Sequence, residues 1–173
     1  MKAGIHIRYE RPEDRAAIRT INEQAFDGTG EADLVDALRA AGGITLSLVA
    51  ETGGTLVGHI LFSPVSIETP SGSREAIALA PMAILPEYQR RGIGSQLVRD
   101  GLAELTKMGY GAVVVLGHPE YYPRFGFMPA SGFDLRCLYD CPDEAYMALE
   151  LHPGALANLK EGVVHYPPEF DAV

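Results

Sequence analysis

Residues 5–9, Ile5-His6-Ile7-Arg8-Tyr9, alternate apolar with polar side chains and predict a strand. Arg11-Pro12-Glu13-Asp14 then signals a helix start, because proline suits the first turn and acids suit the positive end of the helix dipole. Ile18, Ile21 and Ala25 follow at helical spacing up to a break at Gly28-Thr29-Gly30. A second helix is predicted over about 31–40, with Leu34, Val35 and Leu38 on one side and Gly42-Gly43 ending it. Residues 44–51 and 55–65 are β-rich and joined by the hairpin signal Gly53-Gly54. Pro70-Ser71-Gly72-Ser73 turns the chain into a third run, 76–85, so an antiparallel meander is expected. Pro86 stops that run, and a helix over about 94–107 carries Leu97, Val98, Leu102 and Leu105 on one face, closed by Gly109. Residues 112–116 show no polar alternation, the mark of a strand buried on both faces. Strand, helix and buried strand make a crossover, so 76–85 and 112–116 are expected to be parallel, with a right-handed connection. Further along, 121–125 read as a helical turn and 133–138, 146–150 and 163–166 as short strands, punctuated by Pro142, Pro153, Pro167 and Pro168.

This order predicts an α/β chain with one mixed sheet and helices on both faces. No repeat, low-complexity tract or linker interrupts it, and 173 residues suit a single domain over 1–173. The charge is acidic, 14 Lys and Arg against 23 Asp and Glu for a net −9. That balance excludes a nucleic-acid partner, which needs basic patches, and would favour a cationic substrate through its long-range field. No apolar run approaches the ~18–20 residues of a membrane span, and the amino-terminal residues lack a signal-peptide core. A cytoplasmic, membrane-free protein is expected. Cys137 and Cys141 are too few for a disulfide framework and lack a second ligand pair, so they are expected as reduced, packed thiols with no metal.

The chemistry concentrates in Met82-Ala83-Ile84-Leu85-Pro86-Glu87-Tyr88-Gln89-Arg90-Arg91-Gly92-Ile93-Gly94-Ser95. This stretch joins a strand to a helix, and the first turn of a helix offers unpaired N–H groups and the positive dipole end to an anion. Gly92 and Gly94 allow close backbone approach, and Arg90 and Arg91 add charge, so a phosphate or pyrophosphate is the expected guest. A Walker loop would need Gly-Lys-Ser/Thr, and the dinucleotide fingerprint would need a glycine where Leu97 stands.

The whole phrase resembles the acetyl-CoA signature of the GNAT acetyltransferase superfamily, Gln/Arg-x-x-Gly-x-Gly/Ala, which Gln89-Arg90-Arg91-Gly92-Ile93-Gly94 fits at every position. Tyr121-Tyr122-Pro123-Arg124-Phe125-Gly126-Phe127 resembles the Tyr-x-x-x-Gly-Phe segment of that family, and the strand order agrees over about 5–130. The ending, Leu151-His152-Pro153-Gly154-Ala155 with Tyr166-Pro167-Pro168, is similar to that of a subset of bacterial members. The resemblance implies a sheet of about six or seven strands, with two parallel strands splayed at their C-terminal ends. It implies an acetyl-CoA-binding core over about 5–130, with strands over about 131–173 completing the sheet and the substrate pocket. The backbone of Met82, Ala83 and Ile84 would pair with the pantetheine arm, and the loop from Gln89 and Arg90 through Arg91, Gly92, Ile93 and Gly94 to Ser95 would hold the pyrophosphate.

The activity implied is acetyl transfer to an amine, small-molecule or protein, with Tyr122 as general acid. A phenol near pKa ~10 is protonated at neutral pH and can donate. One of the adjacent tyrosines, Tyr121 and Tyr122, should pack inward. Glu51, His59 and His118 are candidate bases; His118 lies at the mouth of the second parallel strand and histidine titrates in the useful range. Gly117-His118-Pro119-Glu120 departs from the asparagine and longer helix that the family often has there. Phe26 and Glu31 flank the break between the first two helices and are candidate substrate contacts, while Glu31 also suits a helix N-terminus. A non-catalytic acyl-CoA sensor, a longer acyl chain or an oxygen acceptor are the competing readings. Exposed C-terminal strands would permit sheet extension between subunits, and a homodimer is the expected assembly.

Overall fold

The computed structural model describes residues 4–172. The elements are β1 (His6–Tyr9), α1 (Arg15–Phe26), α2 (Gly30–Ala41), β2 (Leu46–Thr52), β3 (Thr55–Thr69), β4 (Gly72–Ile84), α3 (Ile93–Lys107), β5 (Ala112–Leu116), β6 (Met128–Pro129), β7 (Leu135–Cys137), β8 (Tyr146–Glu150) and β9 (Gly162–His165). Hydrogen-bonded neighbours run β1-β2-β3-β4-β5-β8-β6, with β9 joined to β3 and β7. The chain divides into two compact units. One takes in the described residues up to Ser63, then Ala80–Ala103 and the described residues from Pro168; the other is Pro64–Leu79 with Glu104–Pro167. Both β3 and β4 run from one unit into the other.

In the first unit, β1 pairs antiparallel with β2 (His6↔Glu51 to Tyr9↔Leu48) and β2 with β3 (Leu46↔Phe62 to Thr52↔Thr55). A bulge interrupts the second ladder at Ala50 and Glu51. Successive side chains of a strand point to opposite faces, and β3 uses both. On one face, Gly58 and Phe62 lie under α3: a Cβ on Gly58 would stand 3.2 Å from Leu97 Cδ1, and one on Gly101 would stand 2.5 Å from Phe62 Cε2. On the other face, His59 meets Asn22 of α1. Helices therefore cover both faces here, as the two-sided burial of β3 requires.

The corner from β1 into α1 is an ion pair. Asp14 accepts from Arg8 (2.7 and 3.0 Å) and from the Arg11 N–H (2.7 Å). The Arg8 guanidinium holds the Asp14 carboxyl below its ordinary range. α1 and α2 are joined by Arg19, which reaches Asp36 and Asp33 at 2.8 Å each. Gly42, in the left-handed region at φ 71°, closes α2.

In the second unit, β4 and β5 are parallel, with Ile77↔Val113 and Ala78↔Val114 in register. β5 continues antiparallel with β8 (Ala112↔Glu150 to Leu116↔Tyr146), and β9 lies antiparallel to β3 (Ser66↔His165 to Glu68↔Val163). Val65, Ile67, Ala78, Val114, Ala148, Leu156 and Val164 are buried together as its core. The parallel pair matches the crossover expected from the sequence.

Two features differ from the pattern read along the chain. The β3–β4 hairpin is longer, with only Pro70 and Ser71 between the strands; the Thr69 hydroxyl, donating to the Gly72 carbonyl at 2.8 Å, pins this tight turn. The sheet has nine strands among the described residues, more than six or seven. The strand absent from the sequence pattern is β6, two residues and too short to show alternation, while the three-residue β7 falls within the run expected over 133–138.

Candidate active site

The candidate residues fall in both units, and each group is built within its own. In the first unit, β4 ends at Ile84, and the Leu85 N–H donates to the Val57 carbonyl of β3 at 2.9 Å. Successive peptide groups along a strand face opposite edges, so the peptide N–H and C=O of Ile84 face the edge away from β3. The Gln89 amide donates to that Ile84 carbonyl at 3.0 Å and ties the loop back to the strand end. Ala83 is buried, whereas Met82 and Ile84 are half-buried.

A short 3-10 turn, Pro86–Tyr88, leads into the loop, held by the Tyr88 N–H on the Leu85 carbonyl at 2.8 Å. Arg90 then adopts φ 64° and Gly92 φ 83°. A non-glycine residue in that region is strained, and such strain clusters where backbone is shaped for a ligand. Left-handed residues among ordinary ones turn successive N–H groups toward a common concavity, which suits an anion. A Cβ at Gly92 would find nothing within 4 Å, so the surface over the loop is open. At the start of α3 the Gln96 N–H donates to the Gly92 carbonyl at 3.1 Å. The Ile93 and Gly94 amides precede it and have no acceptor within the helix. Ile93 itself is buried at 3% exposure, so only its amide is available to a ligand. Arg90 and Arg91 are exposed, and the Arg91 guanidinium lies 5.2 Å from the centre of the Tyr88 ring.

Phe26 and Glu31 also belong to the first unit. Phe26 ends α1 and is exposed; Glu31 is half-buried in the first turn of α2. Between them Asp27 takes φ 52°, which reverses the chain in few residues.

In the second unit β5 leads to Gly117, whose N–H donates to the Ala145 carbonyl at 2.9 Å. His118 is exposed, and its carbonyl accepts the N–H groups of Tyr121 (3.1 Å) and Tyr122 (3.3 Å). A 3-10 turn, Tyr122–Phe125, follows and ends at Gly126, φ 100°. The inward tyrosine is Tyr122, 7% exposed, while Tyr121 is half-buried. Its ring meets those of Tyr121 (5.0 Å), Phe127 (5.7 Å) and Phe125 (6.3 Å), mostly edge to face. Gly117 is what makes room: a Cβ there would overlap the Tyr122 ring at Cε2. Burial, and then the neighbouring Tyr121, pushes the Tyr122 phenol up to about 12.

The other base candidates lie elsewhere. Glu51 is half-buried and pairs with Arg8 at 3.4 Å. His59 is fully enclosed in the first unit. Asn22 donates to its Nδ1 (3.2 Å) and also to the Ile18 carbonyl (3.0 Å); Nε2 faces the Ser47 hydroxyl (3.0 Å), which donates to Glu10 (2.7 Å). With the Asn22 N–H on Nδ1 and the Ser47 proton on Glu10, the ring proton sits on Nε2. Burial, and then the charge of Arg39, pushes His59 down to about 3, so it is a neutral brace between α1, β2 and β3 and not a base for an incoming amine. Sequence spacing shows neither this brace nor the parts played by Gln89 and Gly117. The one local signal was the placement of His59 inside an otherwise apolar run. Among the described residues no group of three or more His, Cys, Asp or Glu stands ready to hold a metal ion, and no helix is long and apolar enough to cross a membrane.

A strand end, a loop shaped for an anion and a helix N-terminus together suit a phosphate-bearing ligand. The family model for the acetyltransferase (GNAT) domain matches residues 6–130, and the chain belongs to that family. It is 38% identical over 166 residues to the uncharacterized N-acetyltransferase YhbS of Escherichia coli, covering 95% of this chain and 98% of the relative. The crystal structure of the Escherichia coli YhbS in complex with CoA aligns at a TM-score of 0.91 and 36% identity, over 98% of this chain and 93% of that one. A GNAT family acetyltransferase from Brucella melitensis, solved in complex with acetyl-CoA, aligns at 0.80 and 39% identity, over 98% and 99% of the two chains.

Proposed function

We propose that this chain transfers an acetyl group from acetyl-CoA to a primary amine, of a small molecule or a protein, by direct attack in a ternary complex. The carrying observation is the loop after β4, with its left-handed Arg90 and Gly92 and the α3 amides behind them. That geometry suits a pyrophosphate. The complexes of the relatives with CoA and acetyl-CoA support the same ligand. When bound, the thioester supplies an acyl group activated toward an amine.

The residues of the chain would divide the work as follows. The backbone of Met82, Ala83 and Ile84 would pair with the pantetheine arm, since the Ile84 peptide faces the edge away from β3. The Ile84 amide is the candidate donor to the thioester carbonyl oxygen. The amides from Arg90 through Ser95 would hold the pyrophosphate, with the Arg90 and Arg91 charges nearby. Tyr122 would donate its O–H to the sulfur as the C–S bond breaks. Because its phenol is pushed up to about 12, the proton is present at every working pH. An ordinary thiol titrates near ~8.5, so this O–H acts first as a hydrogen-bond donor to the charge developing on sulfur. The nitrogen loses its proton to solvent or to the exposed His118. Phe26 and Glu31 would meet the acceptor, the carboxylate drawing a cationic amine.

Calorimetric titration with acetyl-CoA, followed by thiol release across a panel of amines, tests the reading. Binding with release for one amine class is expected, and no binding overturns it. Binding without release across the panel would leave a non-catalytic acyl-CoA module. Tyr122→Phe should lower kcat by about 10²–10⁴-fold and leave acetyl-CoA affinity unchanged. The alkaline side of the wild-type profile should carry no limb from this phenol near pH 10. A limb there that disappears in Tyr122→Phe would return the phenol to its ordinary value.

A further inference from the structure

We infer that Cys137 and Cys141 are a reversible redox pair, able to close an intramolecular disulfide around Tyr139. This site lies in the second unit and shares no residue with those given a role in the acyl transfer proposed above.

Cys137 ends β7, where it is in register with Val164 of β9. The chain then bends at Leu138 and Tyr139. The Cys137 sulfur accepts the Tyr139 N–H at 3.4 Å, and the Cys141 thiol donates to the Tyr139 carbonyl at 3.5 Å. Both sulfurs therefore lie against the backbone of the same residue. Both thiols are free and half-buried, packed with Phe133 and Tyr166 against the core of the unit. Two sulfurs held against one residue, four positions apart in the chain, are placed to bond to each other. Two soft donors without a third ligand do not make a metal centre.

The loop is also wired to its surroundings. The Tyr139 ring lies 5.5 Å from that of Tyr166, and the Tyr166 and Tyr146 hydroxyls are 2.9 Å apart. Closing the bond fixes the segment that carries Tyr139 and so fixes this aromatic stack.

The oxidant is a low-molecular-weight disulfide. The Cys141 thiolate attacks one sulfur of glutathione disulfide, forms a mixed disulfide and releases one glutathione. The Cys137 thiolate then attacks the Cys141 sulfur, forms the internal bond and releases the second glutathione. Two electrons and both thiol protons pass to the glutathione, so the exchange balances. Burial pushes the Cys137 thiol up to about 11, which leaves little thiolate there for a first attack, and the resolving step falls to it. A ring this short removes little freedom from the unfolded chain, so the bond remains easy to reduce.

The test is incubation of the full chain with glutathione disulfide, read by intact mass, thiol titration and peptide mapping without reduction. The expected product has lost two hydrogens, has no titratable thiol and yields a peptide cross-linked between Cys137 and Cys141. Dithiothreitol restores it. The chain contains no tryptophan, so intrinsic emission reports tyrosine, and disulfide closure beside Tyr139 should lower it. Cys137→Ser should instead retain a stable glutathione adduct on Cys141 with no such fall in emission. Four results each overturn the proposal: two thiols unchanged, a lasting glutathione adduct on the wild type, a disulfide between chains, or an adduct on Cys137 alone. Cys141→Ser, with serine close in size, should take up glutathione far more slowly, and adduct formation at the wild-type rate also overturns it.

Discussion

The loop from Ile84 to Ser95 and the turn from Gly117 to Phe127 prepare for chemistry in opposite ways. The loop offers backbone. Its side chains point to solvent at Arg90 and Arg91 or into the core at Ile93, and what it presents is amides, shaped by two left-handed residues. The turn offers one side chain, a phenol enclosed by three aromatic rings. A backbone surface should tolerate changed side chains and resist changed dihedral angles. A buried ring should resist any change in its neighbours.

Gly117→Ala probes the second half of that contrast and should have the larger effect. The new methyl group would overlap the Tyr122 ring, and the rings of Tyr121, Phe125 and Phe127 limit its retreat. We expect stability to fall by about 1–3 kcal/mol, as for other overpacked sites. Displacing a reacting group by about 1 Å can cost about 10²-fold in kcat. Acetyl-CoA affinity should stay within experimental error. A folded variant with unchanged turnover would show that the position of Tyr122 does not matter to the reaction.

Gly92→Ala probes the first half. Nothing lies within 4 Å of the added carbon, so no collision is involved. The cost comes from φ 83°, a conformation that an L-residue holds at about 1–2 kcal/mol. If the strain is relieved by reshaping the loop, acetyl-CoA binding should weaken about tenfold, with kcat at saturation unchanged. Equal losses of kcat and affinity would erase the division of labour between the two regions.

The same contrast explains what could be read from the sequence. A backbone site needs particular residue types at particular spacings, and Gln89-Arg90-Arg91-Gly92-Ile93-Gly94 supplied them locally. The buried strand β5 was equally plain, since five apolar residues in a row leave little choice. The fit of Gly117 against Tyr122 was not legible, because it depends on which of two adjacent tyrosines turns inward. Nor was β6, which is two residues ending in proline. β7 and β9 were read as strands, but not their pairing across some twenty-seven positions (Leu135↔Gly162). Such pairings are set by distant partners and leave no period in the local sequence. His59 shows the same limit. Its residue type suggested a base, but only the packing of Asn22, Ser47 and Glu10 reveals an enclosed neutral ring.

Gln89→Ala should have a smaller effect than either glycine change. The amide that ties the loop to the Ile84 carbonyl would be lost, and a hydrogen bond of this kind contributes about 0.5–1.5 kcal/mol. Gln89 is exposed, so water can replace it and the lower end applies. A two- to fivefold rise in the Kd for acetyl-CoA is expected, by about 1.4 kcal/mol per tenfold. A loss comparable to that of Gly92→Ala would mean that this tie, and not the dihedral angles, sets the loop.

Arg91→Ala should have the least effect, and it decides most about the loop. Its guanidinium is exposed over the Tyr88 ring, a contact that contributes about 0.5–1 kcal/mol at an exposed site. If the amides hold the pyrophosphate, losing this charge should raise the Kd by no more than about fivefold. That part of the affinity should fade with added salt, because the Debye length shortens to about 3 Å at 1 M. At high salt the variant and the wild type should then bind acetyl-CoA alike. If the variant instead binds 10²-fold more weakly at every salt concentration, the side chain is doing what we assign to the peptide groups. The loop would then resemble the Tyr122 turn, with one residue on which its action depends.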